Sequence, residues 1–104
     1  MANYLLAYQG GGMPEGAAEQ QKVMEDWMNW FGALGSAIVD GGNPVGASAS
    51  ISSSGQVSGS GRSALTGYSI ISAGSLDEAT EQAKGCPVLS GGGSVDVYEI
   101  TPVG

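Results

Sequence analysis

The stretch from Gly67 to Ile100 narrows the fold more than any other part of the chain. Tyr68 to Ala73 reads as a strand, with the β-branched Ile70 and Ile71 at its centre. Ser75 and Glu78 follow in the Ser-x-x-Glu spacing of a capping box, in which each side chain serves the other residue's unpaired backbone N–H. Leu76, Ala79 and Ala83 give the helix a narrow apolar face, Lys84 complements its dipole and Gly85 caps it. Pro87 keeps the helix from continuing, and Ser94 to Thr101 forms a further strand. One β-α-β unit is therefore spelled out with its boundaries.

The first third repeats this order less sharply. Tyr4 to Tyr8 is a continuous apolar run, suited to a strand covered on both faces, and Gln9-Gly10-Gly11-Gly12 breaks it. Pro14 fits a first helical turn, with Glu15 and Glu19 placed where carboxylates favour a helix N-terminus. Val23, Trp27, Trp30, Phe31 and Leu34 recur at spacings of three and four, which predicts a helix from Pro14 to Leu34 closed by Gly35. Ala37-Ile38-Val39 resumes an extended pattern, and Asp40-Gly41-Gly42-Asn43-Pro44 interrupts it. Val45, Ala47, Ala49 and Ile51 alternate with small residues in the period of a strand, Ser53 to Gln56 forms a turn, and Val57 starts a short partner. Ser58 to Thr66 is rich in Ser and Gly and reads as the most mobile loop.

Strand, helix, strand with a hairpin, strand, helix, strand is the order of the ferredoxin-like β-α-β-β-α-β fold. This is an α+β class with an antiparallel sheet and both helices on one face. With 104 residues the chain is expected to form one domain, residues 1–104. On the last strand Val95 and Val97 point one way and Tyr98 and Ile100 the other, so both sheet faces carry apolar groups. Two helices cover one face only, and dimerisation through the other is the expected remedy.

Composition removes several functions. The net charge is −7, and Lys22, Arg62 and Lys84 are the only basic residues. Nucleic-acid binding draws its affinity from Lys and Arg on phosphates, so neither nucleic acid nor an anionic membrane surface is an expected partner. A single cysteine, Cys86, cannot close an internal disulfide. No stretch reads as a signal peptide or reaches the about 20 apolar residues of a membrane span, and the cytoplasm is the expected location. With no histidine and one cysteine, a metal centre is not expected, and no cofactor is implied.

The chain resembles the YCII-related family of the dimeric α+β barrel superfamily. The resemblance rests on Trp27, Phe31 and Leu34-Gly35 in the first helix, then on Val39-Asp40-Gly41-Gly42-Asn43-Pro44. It continues through Gly67-Tyr68, Ser75-Leu76-Asp77-Glu78-Ala79, Cys86-Pro87 and Gly92-Gly93-Ser94-Val95. The resemblance implies a homodimer whose sheets face each other, with a cleft in each subunit. It departs where some members carry a histidine on the first helix paired with an aspartate, because this chain has no histidine. The Asp-Gly-Pro-Phe signature of other relatives is also missing from Val57 to Ala64.

Asp40 is the sharpest catalytic candidate. It lies between Ile38-Val39 and a glycine pair, and a carboxylate there acts as a general base if burial lifts its pKa. The plainer reading, which we prefer, is a local turn hydrogen bond, common for Asp before glycines. Trp27, Trp30 and Tyr68 are candidates for an aromatic pocket around a flat organic ligand. For Trp27 and Phe31, core packing explains the spacing better, which leaves Trp30 to reach the cleft mouth or a dimer interface. Gly59 to Ala64 spells a dinucleotide fingerprint without the helix that must follow it, and it is rejected. Gly10-Gly11-Gly12 is read as a connection rather than an anion cradle, and Cys86, with no histidine partner and only nearby Lys84 to lower its pKa, as a buried structural residue.

The expected protein is thus a cytoplasmic homodimer of ferredoxin-like subunits binding a small organic molecule in a cleft through Trp27, Trp30, Asp40 and Tyr68. The alternatives are a cofactor-independent isomerase or lyase using Asp40 as base, and a regulatory interaction module.

Overall fold

A computed structural model describes residues 1–11, 14–59 and 65–102. Within them lie β1 (Ala2–Gln9), α1 (Ala17–Leu34), a 3-10 turn (Gly35–Ala37), β2 (Ile38–Asp40), β3 (Ser50–Ile51) and β4 (Val57–Ser58). They are followed by β5 (Leu65–Ala73), α2 (Leu76–Ala83), α3 (Pro87–Ser90) and β6 (Ser94–Glu99). The chain is α+β, and its main sheet has four antiparallel strands in the order β2-β5-β1-β6. That order, with β1 and β2 separated by β5, is compatible with the ferredoxin-like arrangement.

Strand register assigns the two faces. Tyr4 opposes Ile71 and Glu99, Leu6 opposes Ser69 and Val97, and Tyr8 opposes Gly67 and Val95. These residues turn to the helices, where Tyr4, Leu6, Tyr8, Ile71 and Ala73 join Trp30, Ala79, Ala83, Cys86 and Val88 in one buried cluster. One register step away, Leu5 lies between Ile70 and Tyr98, and Ala7 between Tyr68 and Asp96. This second row faces away from the helices, and Tyr98 and Ile100 stand exposed at its edge.

α2 begins as its spacing predicts, with one adjustment. The Ser75 Oγ accepts from the Glu78 N–H at 3.1 Å, but the Glu78 carboxylate accepts from the Gly74 N–H, 3.2 Å away, rather than from Ser75. Ala79 and Ala83 are buried while Leu76 is half exposed, so the helix rests on the sheet through methyl groups.

Several boundaries differ from expectation for identifiable reasons. α1 starts at Ala17, because Gly16 is extended at the N-cap, and Pro14 lies in the lead-in, its carbonyl accepting from the Gln20 side chain at 2.8 Å. Pro87 does more than end α2: it sits in the first turn of α3, where its missing N–H costs nothing. The alternation from Val45 to Ile51 becomes a strand only at Ser50–Ile51, since its small side chains have nothing to pack against. The β3–β4 hairpin packs little on the body, with Ile51 and Val57 facing each other and both exposed. The Cα radius of gyration is 15.2 Å. A compact chain of this length has about 13 Å, and the hairpin together with the two-layer body accounts for the excess. Most of the Ser/Gly loop and of the rejected Gly59 to Ala64 fingerprint, with Gly12 of the glycine run, lies outside the described residues.

Candidate functional site

Between α1 and the sheet lies a cavity of about 420 Å³. It exists because α1 carries rings where α2 carries methyl groups. Trp27 meets Tyr8 edge to face at 5.3 Å between ring centroids, Phe31 at 5.6 Å and Trp30 at 5.7 Å. Such pairs are favourable beyond their buried area, and their bulk holds the helix backbone off the strands. Tyr8, Met24, Trp27, Phe31 and Val88 supply the apolar lining, and the rest comes from Gly10-Gly11 after β1, Gly41 to Pro44 after β2, and Thr66 to Tyr68 within β5.

The turn after β2 is fastened at several points. Tyr8 donates its hydroxyl hydrogen to Ser69 Oγ at 2.7 Å, and Ser69 in turn donates to the Gly41 carbonyl at 2.7 Å. Ser69 is fully buried, so this relay satisfies a hydroxyl that would otherwise be costly inside the core. The Asn43 carbonyl accepts from the Tyr68 N–H at 3.2 Å, and the Val45 N–H donates to Thr66 at 3.1 Å. Gly42 holds φ at +78°, and a β-carbon there would run into the Tyr68 carbonyl, so the turn passes β5 at a distance only glycine permits.

Burial pushes the Tyr8 phenol far above its ordinary range; the Ser69 hydrogen bond opposes the shift and the nearby Cys86 thiol adds to it. Cys86 is buried, and burial raises its thiol pKa as well. Lys84 pairs with Glu81 at 2.7 Å instead of activating that thiol.

The predicted site residues separate. Trp27, half-buried, packs against the core cluster as expected and also borders the cavity. Trp30 takes the opposite place: it is 7% exposed, its indole N–H donates to the Gln82 carbonyl at 3.1 Å, and it does not border the cavity. Trp27 thus serves both core and cleft, while Trp30 lies in the core rather than at the cleft mouth its spacing prompted. Tyr68 borders the cavity as a residue, but its register with Ala7 puts its side chain on the opposite sheet face. Asp40 is exposed, pairs with Ile70 on that same far face, and its Oδ1 accepts from the Gly42 N–H at 2.8 Å. This is the turn hydrogen bond, and Asp40 is not among the residues bordering the cavity.

Sequence reasoning did not select Tyr8, Met24 or Val88 for the site. Tyr8 closes an apolar run and looks like core, and the signal that distinguishes it is its place at the end of β1 beside the glycine turn. Met24 lies three residues before Trp27, on the same helical face, and that spacing was available.

Asn43 and Thr66 provide the polar side chains of the described lining, and Thr66 donates its hydroxyl hydrogen to the Gly10 carbonyl at 3.0 Å. No carboxylate, lysine or arginine borders the cavity among the described residues. The described lining is mostly apolar and ring-bearing. It offers no described general base. No family model matches this chain, and no curated protein is similar enough to count as a relative.

Proposed function

We propose that the chain is the subunit of a small cytoplasmic homodimer of the YCII-related type, ferredoxin-like and closing into a dimeric α+β barrel, and that it binds a small organic molecule in the cleft beneath α1. The observation that carries the reading is the cavity of about 420 Å³ walled by Tyr8, Trp27 and Phe31. Ligand pockets are commonly about 300–1,000 Å³, mostly apolar, with a few polar groups that orient the ligand. The dimer is supported by the row of Ile70, Leu5 and Tyr98 on the helix-free face, which a second sheet would cover. The position of Asp40 gives no support to a base-catalysed reaction. The interaction-module reading has one observation in its favour, the exposed Ile51–Val57 pair on the β3–β4 hairpin.

Native mass spectrometry of the purified protein, followed by the mass after denaturation, tests this. A dimer with added mass released on denaturation is the expected result. A bare dimer that takes up no compound from an aromatic fragment panel moves the function to the hairpin, and a monomer overturns the assembly.

A further inference from the structure

Resting on the reading of this cleft as a ligand site, we propose that its ligand is a flat, hydrophobic organic cation. The first argument is the lining. Three ring systems, Tyr8, Trp27 and Phe31, border the space, and Met24 adds a polarisable thioether at an exposed position. Aromatic faces attract cations through their quadrupoles, most strongly when water is excluded, and anions gain nothing comparable.

The second argument is charge complementarity. The chain carries −7, and of its three basic residues the two described ones are matched within their own helices, Lys22 with Asp26 at 3.2 Å and Lys84 with Glu81. α1, which forms one wall of the cleft, bears Glu19, Glu25 and Asp26 against Lys22 alone. A cleft with low-dielectric walls focuses such a field and concentrates ligands of the opposite sign. An anionic ligand would enter against that potential and find no lysine or arginine among the described lining residues. Among its described residues the cleft therefore offers rings for cations and no counter-cation for anions.

The experiment compares three molecules of one shape by isothermal titration calorimetry at pH 8: N-methylacridinium, neutral acridine and acridine-9-carboxylate. The expected order is cation, neutral, anion, with about a tenfold gap between the first two, a size between the contributions of an exposed and a desolvated cation–π contact. The cation's affinity falls with added salt and acridine's does not. Trp27→Leu and Phe31→Leu, which keep an apolar side chain but remove the ring, bring the cation down to the level of acridine. Two results overturn the inference while leaving the cleft reading intact: acridine binding as tightly as the cation, or the anion binding best. Cation binding unchanged in both leucine variants also overturns it, since attraction to the acidic surface would then explain the signal. Failure of all three probes, together with a native mass free of ligand, instead removes the cleft reading itself. Far-ultraviolet circular dichroism and a cooperative urea transition confirm that each variant is folded.

Discussion

Two helices lie on the same face of one sheet and do opposite things. α2 meets the strands through Ala79 and Ala83, whose methyl groups let it approach closely and leave no room beneath it. α1 meets them through Trp27, Trp30 and Phe31, and only Trp30 is fully buried. The difference teaches that a small α+β domain makes a cavity by bulk rather than by omission. Large rigid rings prop one helix up at one end, and the space they fail to fill is the cleft.

The comparison breaks most severely at the prop itself. Trp30→Ala removes both the buried ring and the tie to Gln82, and is expected to destabilise the fold by about 3–5 kcal/mol, measured by urea denaturation. A variant as stable as the parent would mean that α1 is held by something else. The reverse change on the other helix, Ala79→Leu, forces side-chain bulk under α2 and should lose about 1–3 kcal/mol through overpacking. If Ala79→Leu is neutral, the close approach of α2 is not a packing constraint.

A smaller effect depends on pH. The Tyr8 proton is held more tightly in the folded chain than in the unfolded one, because burial disfavours the phenolate. Below the ordinary tyrosine value of 10.0 both states are protonated and Tyr8 adds no pH dependence. Above it the unfolded state releases its proton first, so stability falls as pH rises, by at most about 1.4 kcal/mol per pH unit for one group. Thermal melts on both sides of that value should show the decline, and Tyr8→Phe should lessen it. Ser75→Ala removes the α2 cap and is expected to lose about 1 kcal/mol by the same denaturation measurement. Smallest of all is Asp40→Asn. Its amide oxygen still accepts from Gly42, so a stability change within about 0.5 kcal/mol and unchanged probe binding are expected. Loss of binding would return Asp40 to the site.

How much of this was legible in the sequence follows from the range of each interaction. The α2 unit was readable almost to the residue, because the Ser75 cap, the alanine face and Pro87 are local signals. The strand order followed from the element order. The division of labour between Trp27 and Trp30 was not readable: both lie on one helical face, and only the position of Gln82 on another helix sends Trp30 inward. Tyr68 misled for a related reason, since which sheet face a strand residue takes depends on register with β1 rather than on its own neighbours. The alternating run from Val45 to Ile51 has the period of a strand, yet along most of it there is no sheet to join.

Tyr8 belongs to two systems at once. Its ring borders the cleft, and its hydroxyl begins the chain that ends on the Gly41 carbonyl. The ring is rigid, so a guest that tilts it must also swing the oxygen and slacken the turn that forms the opposite wall. Occupancy and wall position are thereby mechanically one coordinate.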